Sequence, residues 1–127
     1  MLLPKLNKKN IFLLDGIGAL VSAAGAGVIL PIFQDWIGLS ARTLNILAMV
    51  AAVFAIYSLS CFFLIKNIKP VMLAAIMLAN SIYGLATCAI AFFLADILIW
   101  GKIYLMGEAL VLVAVVWLEV CVYQKEF

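Results

Sequence analysis

The sequence predicts an all-α integral membrane fold, an antiparallel bundle of four transmembrane helices joined by short loops. Three observations carry that expectation. Charged side chains make up 11% of the 127 residues (8 Lys+Arg and 6 Asp+Glu) and hydrophobic ones 69%, whereas roughly a quarter of an ordinary soluble chain is charged. A water-facing surface cannot be assembled from so apolar a composition, because a small soluble domain leaves roughly a third of its surface wet. Second, the charges divide the chain into four apolar stretches, each close to the roughly 20 residues that cross about 30 Å of hydrocarbon. Third, every Lys and Arg falls outside those stretches. Disorder is excluded by the wealth of aromatic and β-branched residues, and a net charge of +2 gives no footprint for nucleic acid.

The first stretch, residues 11–33, is interrupted only by Asp15. It exceeds the 7–15 apolar residues of a secretory signal core, so it is expected as an uncleaved span. Gly18, Ser22 and Gly25 belong to a run of small residues between Gly16 and Gly27; small residues at helical spacing let backbones approach closely in lipid. They serve either packing within one bundle or a seam with another protomer or membrane protein. Pro31 is expected to kink or end this helix. The second stretch, residues 44–65, contains no charge and carries Tyr57, Ser58, Ser60 and Cys61 in its second half. The third, residues 71–94, starts after Pro70, a residue suited to the first turn of a helix. Its Asn80, Tyr83, Gly84 and Thr87 share one helical face. The fourth, residues 103–124, holds Glu108 and Glu119, whose separation is three turns plus about 20°, which places them in one stripe.

With the N-terminus inside, Lys5, Lys8, Lys9, Lys66, Lys69 and Lys125 fall on the inner side and only Arg42 and Lys102 on the outer. By the positive-inside rule both termini are expected in the cytoplasm and the protein in the cell (inner) membrane. Trp36 and Trp100 occupy the two outer loops, as interfacial aromatics do.

The chain has no histidine, which removes His-ligated haem, the usual zinc sites and the commonest general base. Cys61, Cys88 and Cys121 are isolated within spans, with no paired motif for thiol chemistry. No cofactor, metal or enzymatic activity is expected. Ionisable groups at membrane depth are costly and point to function, and three qualify: Asp15, Glu108 and Glu119. Asp15 and Glu119 lie at similar depth near the inner side, whereas Glu108 lies near the outer side, within expected reach of Lys102 or Arg42. Spacing and depth gather Asp15, Tyr57, Ser58, Asn80, Tyr83 and Glu119 around a shared interior. With no basic residue there, two neighbouring carboxyls cannot both be ionised cheaply.

Two functions follow as expectations. Either the protein binds or moves a small solute, proton or cation through these carboxyls, or it is a non-catalytic membrane subunit that docks through the small-residue face of the first helix. Because one four-helix bundle encloses little space, the first predicts an oligomer or a shallow cytoplasm-facing pocket. The segments Asp15-Gly16-Ile17-Gly18-Ala19, Phe54-Ala55-Ile56-Tyr57-Ser58 with Cys61, Ala79-Asn80-Ser81-Ile82-Tyr83 and Gly107-Glu108 resemble recurring segments of a family of small, uncharacterised four-span bacterial inner-membrane proteins. That resemblance implies a fold and no activity. The small multidrug-resistance transporters are similar in class, but their essential acid lies mid-helix and here Asp15 lies near the start of its span.

Overall fold

The structure, a computed structural model, describes residues 7–94 and 97–127, and every regular element among them is helical. Lys5 lies outside the described residues. Helix α1 opens on Asn7, whose side-chain oxygen accepts from the backbone N–H groups of Lys9 and Asn10, both at 2.9 Å, and so satisfies donors that a helix start leaves unpaired. The helix runs over Asn10–Ala24, widens into a π turn at Gly25–Ile29 and resumes as Leu30–Ile32. The wide turn immediately precedes Pro31, which brings no N–H and crowds the turn before it, so the expected disruption takes the form of a local unwinding. Helix α2, Gln34–Ile37, ends at Gly38, whose φ of 77° lies in the left-handed region that favours glycine.

Helix α3, Ala41–Leu64, is capped by Ser40, which accepts from the Thr43 N–H at 3.1 Å. At its other end the Lys9 ammonium donates to the carbonyls of Cys61 (3.4 Å), Phe62 (2.7 Å) and Ile65, groups a helix end would otherwise leave bare. Helix α4, Pro70–Phe93, begins on its proline, and α5 covers Ile99–Glu126. Four helices are therefore long and apolar enough to cross a membrane: Asn10–Ile32, Ala41–Leu64, Pro70–Phe93 and Ile99–Glu126. Two of them start earlier than expected, at Ala41 instead of residue 44 and at Ile99 instead of residue 103. Apolar runs stop at charges such as Arg42 and Lys102, but helical hydrogen bonding does not.

Helix α1 packs along α3, α4 packs along α5, and the short α2 rests on α5. Glycine sets the spacing at two places in α1. A Cβ on Gly16 would come within 2.6 Å of the Leu59 side chain, and one on Gly25 within 2.6 Å of the Tyr104 hydroxyl. Gly18 behaves differently, since a Cβ there would meet nothing within 4 Å. Of the residues expected at a close helix approach, Gly25 makes one inside the bundle and Gly18 makes none.

Several contacts gather four helix ends together. Lys9 caps α3, the Tyr57 hydroxyl donates to the Met72 carbonyl at 2.8 Å, and the Lys8 ammonium lies 5.8 Å from the Phe127 ring centre. At this end Ile11, Phe12, Cys61, Leu73, Ile76 and Val122 form one apolar cluster. A second cluster, which includes Leu30, Ile37, Leu44, Ala91 and Leu105, fills the other end. The outward surface is also apolar, with residues such as Met49, Leu85 and Val113 largely exposed. In water such a surface would drive aggregation.

Candidate functional site

Between the two apolar clusters the four long helices each supply one buried polar side chain: Asp15 from α1, Ser58 from α3, Asn80 from α4 and Glu119 from α5. Each lies a single turn from a member of the first cluster, respectively Phe12, Cys61, Ile76 and Val122, and so on the same helical face. The four meet. Ser58 donates its hydroxyl to Asp15 Oδ2 at 2.5 Å, and the Asn80 amide donates to Asp15 Oδ1 at 2.6 Å and to Glu119 Oε1 at 2.9 Å. One amide nitrogen thus bridges two carboxyl groups, holding them within two hydrogen-bond lengths of each other.

The two acids are not equivalent. Each oxygen of Asp15 has a donor, whereas Glu119 is 0% exposed and its Oε2 has no hydrogen-bond partner. Among the described residues no Lys or Arg joins the cluster; the Lys9 ammonium is held by main-chain carbonyls at the end of α3. Two unit charges about 5 Å apart repel by roughly 3 kcal/mol at an effective dielectric of about 20. Electroneutrality therefore favours one proton or one cation held with the pair.

A cavity of about 50 Å³ begins at Asp15 and Asn80 and extends between α1 and α5 to Glu108, with Ser22 and Tyr83 also in its wall. Both carboxylate oxygens of Glu108 are shielded and neither has a hydrogen-bond partner. The Ser22 hydroxyl lies beside that carboxyl, outside hydrogen-bonding geometry. The ion pair expected with Lys102 or Arg42 is not formed. Because α5 starts at Ile99, Glu108 sits deeper in its helix than a boundary drawn at Lys102 implies.

Tyr83 borders the cavity but donates its hydroxyl to the Leu47 carbonyl at 3.4 Å. Tyr57 does not join the cluster, since its hydroxyl is committed to Met72. Thr87, although buried, bonds back to the Gly84 carbonyl of its own helix. Ser22, expected in helix packing, also lines the cavity; its position two turns after Asp15 on the same face carried that signal. At the end marked by Lys9, the layer containing Phe12, Ile76 and Val122 packs against the cluster, and the cavity extends from the opposite side of it.

Among the described residues no group of three or more His, Cys, Asp or Glu side chains is placed to hold a metal ion. Comparison with known protein families, with characterised proteins and with solved structures returns no match. The functional reading therefore rests on this geometry.

Proposed function

We propose that the protein binds and moves a proton or small cation through the carboxyl pair Asp15 and Glu119, within an antiparallel bundle embedded in the cell (inner) membrane, both termini cytoplasmic. The observation that carries this reading is the Asn80 amide bridging the two acids where four helices meet, with no basic side chain among the described residues to neutralise them. A purely structural polar contact needs one donor and one acceptor. Two acids sharing one amide call for an exchangeable positive charge.

The amide suits both states of such a site. With its nitrogen between the carboxyls it donates to two anionic oxygens. Turned over, its oxygen accepts from two protonated ones. The orphan Oε2 of Glu119 is the free position at which a proton or a cation would rest. No cofactor and no catalytic step is part of this reading. The membrane setting is supported by the apolar outer surface and the four long helices, and the orientation by the excess of Lys at one end of the bundle.

A second reading, a membrane subunit without transport, draws on Gly18, which is exposed and contacts no neighbour at its missing Cβ. Flux in reconstituted vesicles separates the two. Asp15→Asn and Glu119→Gln should each lower proton or cation flux at least tenfold while the fold is retained. Wild-type flux in both variants would leave the carboxyl pair without a transport role, and loss of self-association in Gly18→Leu would then favour the subunit reading.

A further inference from the structure

The cavity and Glu108 are not needed to bind a charge at Asp15 and Glu119, yet five polar side chains, two of them Asp15 and Glu108, converge on a cavity whose wall is otherwise apolar. A volume of about 50 Å³ exceeds the minimum of roughly 10–15 Å³ for one water and suits one or two. Water in a buried space needs two to four polar partners, and the wall offers the carboxyls of Asp15 and Glu108, the Asn80 amide and the hydroxyls of Ser22 and Tyr83. The bare carboxylate oxygens of Glu108 are the groups such a water would satisfy. An organic solute does not fit this volume. An apolar layer lies on the other side of the pair.

We propose that this cavity is a water site that makes Glu108 the relay through which protons reach Asp15 from the end of the bundle opposite Lys9. The proposal rests on the transport reading above and narrows its substrate to the proton. In the transfer step the Glu108 carboxyl gives its proton to the first of a short file of waters in the cavity, each water passes one of its own along the file, and the last passes one to an Asp15 oxygen. Glu108 is left as the carboxylate, Asp15 becomes the acid and the waters are regenerated. Asp15 can receive the proton although Ser58 and Asn80 already donate to it, because each carboxylate oxygen carries two lone pairs. The titratable groups facing Glu108 are Asp15 and the phenols of Tyr83 and Tyr104, all neutral or anionic, so none competes as a fixed counterion.

Two variants and two readouts test the relay. Glu108→Gln removes the proton carrier at constant shape. Ala51→Val, at a cavity-wall position that is 2% exposed, adds two methyl carbons to the space and alters no charge. In vesicles under an imposed pH gradient each should lower proton flux at least tenfold, as Asp15→Asn does. In water-edited solid-state NMR the wild-type Glu108 carboxyl should receive water magnetisation, several-fold less of it in Ala51→Val, and Glu119 should receive little. Wild-type flux in Glu108→Gln and Ala51→Val, with flux lost in Asp15→Asn, would overturn the relay and leave the transport reading standing. Unchanged flux in Asp15→Asn would overturn both. If wild-type vesicles carry sodium or potassium but no protons, the relay is wrong. A dry Glu108 in the NMR experiment overturns it whatever the flux.

Discussion

Asp15 and Glu108 carry the same functional group at opposite ends of one cavity, but their surroundings differ. Asp15 has a donor on each oxygen, delivered by side chains of two other helices, and Glu108 has none. A carboxyl group bound on every oxygen fixes helix positions, so its loss disturbs the bundle. One that is left bare ties no neighbouring helix by hydrogen bonds. The difference separates a side chain that holds the site together from one that serves access to it, and the two should respond oppositely to removal.

The largest effect is expected at the residue that ties the satisfied end together. Asn80→Leu leaves Asp15 Oδ1 and Glu119 Oε1 without their donor and should lower stability by about 2–4 kcal/mol, read as denaturant unfolding in mixed micelles. Next comes the spacing of α1 and α3. Gly16→Ala pushes a methyl group into Leu59 and should destabilise by about 1–2 kcal/mol, whereas Gly18→Ala, with open space, should change stability by less than about 0.5 kcal/mol. Equal effects at the two glycines would show that Gly16 does not set the reach of Ser58 to Asp15. Lys9→Met removes the cap on α3 and should cost about 0.5–1.5 kcal/mol, with amide exchange accelerated at the end of that helix. The smallest effect is expected at Glu108→Leu, which replaces an unpartnered buried carboxyl by an apolar group and should be neutral or stabilising. A loss as large as that of Asn80→Leu would mean Glu108 is a structural group after all.

Much of this arrangement was legible in the residues, and the failures have physical causes. Hydropathy located the four helices, since their length is set by the apolar run, but a helix begins before that run where a charged residue lies inside its first turn, as Arg42 and Lys102 do. The basic partner expected for Glu108 is not made in the structure. Depth and spacing brought Asp15, Ser58, Asn80 and Glu119 to one level. Helix rotation was the missing quantity. Tyr57 and Ser58 are adjacent, hence about 100° apart around the helix, and both cannot face one centre. Once Ser58 points to Asp15, Tyr57 is directed to Met72. The cavity could not be read from sequence at all, because it depends on how α1 and α5 are spaced by Gly25 against Tyr104.

The central claim is that Asp15 and Glu119 form one site through Asn80. Flux through vesicles containing Asp15→Asn, Glu119→Gln or both variants together tests it most directly. Groups that act as a unit are non-additive, so each single variant should lose at least tenfold and the double variant should lose no more than the worse single. Losses that multiply in the double variant, or wild-type flux in either single one, would contradict the account.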